Sequence, residues 1–187
     1  MIPRTLLRCS EETLRTLARV AAQTASEESV ETGGLIVSVA TTVETYVETI
    51  LKALIRESGY ADHPFTKAMY AELEDSLFQS WKERFRWLKS GFGISIAGTA
   101  AAQDLGTLVE LRNALVHGGG RLTDRQAREL TDLVTLEQRL AQVLDVDVEN
   151  RLVCFGPETG QRVVTVSRDY VIALDAEVRT RQPDVSL

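Results

Sequence analysis

Residues 34–55, GLIVSVATTVETYVETILKALI, decide the architecture of this chain. Leu35, Val39, Val43, Val47, Ile50 and Leu54 recur at steps of three and four, which lines them up as one apolar stripe on a long helix. The opposite side carries Glu44, Glu48, Lys52 and Arg56, with Glu48 and Lys52 at the spacing of a weak surface pair. Charges inside the run are costly in hydrocarbon, so the helix is expected to be the spine of a protein core, with no membrane insertion.

Helical signals continue on both sides of this spine. Upstream, Ser10 followed by EETLRTLARVAAQ has the form of an N-cap with acids in the first turn. Downstream, Gly59, His63 and Pro64 break the long helix, and FTKAMYAELEDSLF resumes the pattern with Pro64 near its start. Ser80 and Glu83 have capping-box spacing for a short helix, WKERFRWLK, ended by Gly91 and Gly93. A further helix is expected over about 100–117. Thr123 and Gln126 offer a second box ahead of RQARELTDLVTLEQRLAQVL. Near the end, RLVCF and QRVVTVS flank GPETG and read as a β-hairpin before a final helix, RDYVIALDAEVR. The expected fold is all-α, a helical bundle with a small C-terminal β-hairpin. One domain covers 1–187, with its core over about 30–145 and the hairpin and final helix over about 150–181.

Composition narrows the function. The 187 residues, 44% of them hydrophobic and 26% charged, suffice for a substantial core. Cys9 and Cys154 lie far apart, and MIPRTLLRCSEETL contains no apolar run of secretory length, which points to a reducing cytoplasm. A net charge of -6 does not suggest a protein that coats nucleic acid through its overall field, so any such contact is expected to be local. WKERFRWLK is the local candidate: Lys82, Arg84, Arg86 and Lys89 oppose a single acid, Glu83, and are interleaved with Trp81, Phe85 and Trp87. A solvated helix whose aromatics enter the core gives the same pattern.

Several chemistries lack their signatures. His63 and His117 form no His-Glu-x-x-His pair and there is no Cys-x-x-Cys, so neither a metal nor a cofactor is expected. Gly118, Gly119 and Gly120 are followed by Arg121 and Leu122 rather than by a phosphate-loop lysine, and serve as a helix stop. Asp145, Asp147 and Glu149 alternate in DVDVE, where solvated acids leading into the hairpin are favoured over a magnesium site.

Residues 110–120, ELRNALVHGGG, place Arg112, Asn113 and His117 at the end of a helical pattern. On an ideal helix Leu105, Val109, Arg112 and Val116 form one row, and Glu110, Asn113 and His117 form its neighbour. Arg112 therefore lies along an apolar strip and needs a carboxylate or phosphate partner. Arg112 and His117 are separated by about 140° around the axis. They converge only if the helix ends near His117 or if the site is completed across two chains. Two readings stand: Arg112 in a buried ion pair with His117 on the last carbonyls, or both in a site that handles phosphate.

LRNALVH resembles the Arg-(four to six residues)-His motif of the HEPN superfamily, whose members often have a polar residue directly after the arginine. The order of VETYVETILKALI, WKERFRWLK and LVELRNALVHGGGRLT is similar to the RiboL-PSP-HEPN branch over roughly residues 35–145. This resemblance implies a helical bundle, commonly a homodimer, in which two motifs meet at a cleft and cleave RNA without a metal. It also implies alternatives, since some members only bind RNA, a nucleotide or a protein, or only dimerise. On the catalytic reading Arg112, Asn113 and His117 form the site, and Lys82, Arg84, Arg86 or Lys89 guide RNA together with Arg121 and Arg125. The expected partners are RNA, a second copy, and an antitoxin or nucleotidyltransferase-like protein, in a toxin-antitoxin or anti-phage setting.

Overall fold

Leu35, Val39, Val43, Val47, Ile50 and Leu54 are all buried along one helix, α2 (Thr32–Glu57). The computed structural model describes residues 6–26, 32–59 and 63–183; the start of MIPRTLLRCSEETL and residues 27–31 lie outside them. Before α2 comes α1 (Arg8–Ser26); after it come α3 (Pro64–Phe78), α4 (Trp81–Phe92), α5 (Ala100–Gly118) and α6 (Leu130–Arg139). A π-helical turn, Leu140–Leu144, then leads into strands β1 (Val146–Glu149) and β2 (Leu152–Phe155) and a last helix, α7 (Thr159–Arg181). Helix makes up 75% of the chain, so the fold is all-α with a C-terminal β-hairpin. By length and composition alone α2 is long and apolar enough to cross a bilayer, and 50% of its apolar window is buried inside the protein.

The chain forms two compact units whose boundaries fall within α1, α2 and α7 and in the segment between α4 and α5. The first comprises residues 1–14, 43–96 and 171–187. Its core includes Tyr46, Ile50, Leu51, Leu88, Ile94 and Leu174. Buried polar groups there are joined in pairs: the Leu7 amide donates to Asp175 at 2.9 Å, and Ser10 Oγ lies 2.9 Å from Tyr46 Oη. Ser10 is thus not the expected N-cap. Helix α1 begins at Arg8, and Ser10 sits in its first turn as a buried partner of α2. Ser80 does cap α4, accepting from the Glu83 amide, and Gly93 ends it at φ 68°.

The second unit comprises residues 15–42 and 97–170. Leu105, Leu108, Leu111 and Ala114 of α5 are buried there, as are Leu122, Leu140, Leu144, Val146 and Val163. The Thr123 box forms, with Gln126 Oε1 accepting from the Thr123 amide at 2.9 Å and the Gln126 amide donating back to Thr123 Oγ1 at 3.4 Å. It caps only a turn, however, and α6 starts later, at Leu130.

The hairpin is shifted upstream of its expected place. VDVE pairs antiparallel with LVCF, Val146 opposite Phe155 and Glu149 opposite Leu152. Asn150 and Arg151 form the connecting turn at φ 50° and 69°, the pair of positive angles that a type I′ hairpin loop requires. QRVVTVS, expected as a strand, belongs to α7. Val163, Val166, Tyr170 and Leu174 are buried at helical steps, and that amphipathic burial outweighs the β preference of branched residues. At the junction, Asp145 accepts from the Glu158 amide through its carboxylate and from the Gly156 amide and Thr159 Oγ1 through its carbonyl. A Cβ on Gly156 would collide with that carboxylate.

Candidate functional site

Helix α5 carries the motif. Thr99 caps its start, accepting from the Ala102 amide, and Leu105, Leu108 and Leu111 anchor its inner face in the second unit. The helix ends at Gly118, directly after His117, because Gly119 takes the left-handed conformation at φ 58°. The Gly119 and Gly120 amides both turn back to the Ala114 carbonyl, satisfying the helix end with backbone and leaving the His117 ring to other partners.

Arg112, Asn113 and His117 converge within one chain. Arg112 Nη1 donates to Asn113 Oδ1 at 3.4 Å and lies 3.3 Å from His117 Nε2. The angular gap on the helix is bridged by the length of the arginine, reaching along the last turn. Asn113 and Arg112 are half-buried and His117 is exposed. Among the described residues no carboxylate lies within ion-pair distance of Arg112 or of His117. Among the described residues, the buried ion pair expected on the purely structural reading of Arg112 is not formed.

The segment after the motif is held from two sides. On one, Gln126 Nε2 donates to both the carbonyl and the carboxylate of Glu110, at 2.8 and 2.7 Å, and Arg125 grips the same carboxylate at 2.9 and 3.0 Å. On the other, the Val153 amide donates to the Gly120 carbonyl at 3.0 Å and the Leu122 amide to Arg151 at 2.8 Å, so the Gly-rich turn joins the edge of β2. Arg151 adds bonds to the Leu122 carbonyl and to Asp124, and Arg121 reaches the Asn150 carbonyl at 2.6 Å. None of these long-range contacts has a sequence signature. The Thr123 and Gln126 spacing marks only the local box.

The six basic residues expected to guide RNA divide. Arg121 and Arg125 follow the motif in the second unit and are exposed, though each has a protein partner. Lys82, Arg86 and Lys89 are exposed on α4, in the first unit, with Arg86 paired to Glu83. Arg84 is a correction: its side chain is only 4% exposed, and Nη2 meets Glu44 at 2.8 Å and Glu48 at 2.6 Å. Arg84 and Leu88 form the buried row of α4, while the Trp81 and Phe85 rings meet at a tilt with centroids 5.6 Å apart and Phe85 is exposed. The charge goes inward here and the aromatic stays out, because two carboxylates on α2 wait for it.

Both cysteines are free thiols, and burial pushes Cys9 above its ordinary range, leaving little reactive thiolate at neutral pH. Among the described residues no group of three or more His, Cys, Asp or Glu side chains is arranged to hold a metal ion. Asp145, the first acid of DVDVE, is engaged with the start of α7. Comparison of the chain with family models, with curated proteins and with solved structures returns no match.

Proposed function

We propose that the chain is a metal-independent endoribonuclease of the HEPN type, acting as a toxin or anti-phage effector. The observation that carries this reading is the convergence of Arg112, Asn113 and His117 at a solvent-reachable helix end where, among the described residues, no carboxylate neutralises the arginine. A half-buried guanidinium with open donors is suited to an oxyanion, and an exposed imidazole beside it is suited to proton transfer. In the reaction the ribose 2′-oxygen forms a bond to the adjacent phosphorus as the bond to the 5′-oxygen breaks. The 2′-hydroxyl gives up its proton and the departing 5′-oxygen gains one; His117 carries one of these two protons and water the other, Arg112 stabilises charge developing on the phosphate, and Asn113 orients the guanidinium.

Such a reaction uses the substrate's own hydroxyl as nucleophile. Cleavage should therefore persist in EDTA, fail on DNA and on 2′-O-methylated RNA, and leave 2′,3′-cyclic phosphate and 5′-hydroxyl ends. Mass spectrometry of the products decides it. Folded wild-type protein that cuts no RNA under any condition sinks the proposal.

A further inference from the structure

The contact between Arg112 and His117 constrains where the protons are. A guanidinium has donors only, so an atom it bonds must offer a lone pair. Nη1 carries two hydrogens, and its two neighbours are Asn113 Oδ1 at 3.4 Å and His117 Nε2 at 3.3 Å. A hydrogen bond from Nη1 to Nε2 requires Nε2 to be bare, which puts the ring proton on Nδ1, the reverse of the form that predominates in a free histidine. Adding a proton at Nε2 would set a second cationic N–H against the guanidinium at this distance, and like charges so placed repel.

We infer that the resting site is closed on itself, with Arg112 masking His117 Nε2, and that binding of a sulfate-like or phosphate-like oxyanion there is coupled to uptake of one proton at that atom. An oxyanion that accepts from Nη1 releases the ring, and the newly protonated Nε2 donates to the same ligand. Arg112 Nη2 and Nε make no hydrogen bond among the described residues, which leaves them for a second oxygen in the bidentate manner. Several charged groups near the motif are engaged with other partners. On α5, Glu110 is held by Arg125 and Gln126; beyond it Asp124 is held by Arg151, and Arg121 by the Asn150 carbonyl. Glu149 is exposed at the hairpin turn, and none of these acids pairs with His117.

The inference rests on the proposed phosphate-handling role of the site but not on turnover, so the two can fail separately. Long-range ¹H–¹⁵N spectra of the full chain should show the Nδ1–H form of His117 at high pH. Arg112→Gln should shift the ring toward the Nε2–H form. Sulfate keeps its charge between about pH 5.5 and 8, the range in which histidines change theirs. Its affinity, followed at constant ionic strength, should weaken about tenfold per pH unit once His117 is neutral, as uptake of one proton requires. His117→Gln should flatten that dependence. A wild-type ring in the Nε2–H form, or sulfate binding that is absent or independent of pH, overturns the coupling even if the protein cleaves RNA. The expected spectra in a protein that cleaves nothing overturn only the nuclease.

Discussion

Arg112 Nη1 lies 3.3 Å from His117 Nε2 although five residues separate them on α5. The pair meets without a second chain, because the helix stops at Gly118 and the arginine is long enough to cross its last turn. Both side chains are reachable from solvent, and neither is part of the apolar row of Leu105, Leu108 and Leu111.

Removing either group should thus abolish cleavage without unfolding the protein. Losing a charged donor to the transition state costs about 3 kcal/mol or more, roughly a hundredfold in rate. We expect Arg112→Ala and His117→Ala to lose at least that much in single-turnover assays, with thermal melts close to wild type. An unfolded Arg112→Ala would assign the residue to the core instead.

Arg84 should show the opposite behaviour. Its guanidinium is buried on Glu44 and Glu48, and deleting one partner of a buried pair typically costs about 3–5 kcal/mol, whereas an apolar residue of similar length costs far less once the acids are replaced too. Arg84→Ala should lower the urea midpoint sharply. The triple change Arg84→Met, Glu44→Gln and Glu48→Gln should recover most of the loss. An Arg84→Ala protein of wild-type stability with weakened RNA binding would return this residue to the nucleic-acid surface.

The exposed bases should act through charge alone. Lys82, Arg86, Lys89, Arg121 and Arg125 reversed to glutamate should weaken RNA binding at low salt, with the difference shrinking as salt rises. Arg125 carries a second consequence, because it also holds Glu110; its loss should loosen the segment after α5, visible as faster amide exchange at Thr123–Gln126. Unchanged affinity and salt slope in the folded variants would remove RNA guidance from these positions.

Assembly is a separate matter from convergence of the motif. The resemblance predicts a homodimer with the 110–120 segments near its two-fold axis. Light scattering should give twice the chain mass at micromolar concentration, and a cysteine placed at exposed Val116 should cross-link two copies. A monomer that cleaves RNA would show that one chain's Arg112, Asn113 and His117 are enough.

Local sequence determined the elements whose physics is local. The stripe from Leu35 to Leu54, the Ser80 cap with its Gly93 stop, Pro64 at the head of α3 and the glycines after His117 were all legible, since periodicity, capping and positive φ act within a few residues. Tertiary structure decided the rest. VVTV reads as strand until Val163, Val166 and Tyr170 find a core that rewards helical burial. Arg84 reads as surface until Glu44 and Glu48, far away in sequence, supply its partners. The Gly-rich turn reads only as a helix stop until Arg151 and Val153 pair with it across about thirty residues. Contacts over such separations depend on the whole chain having folded, and no window of neighbouring residues contains the energy that selects them.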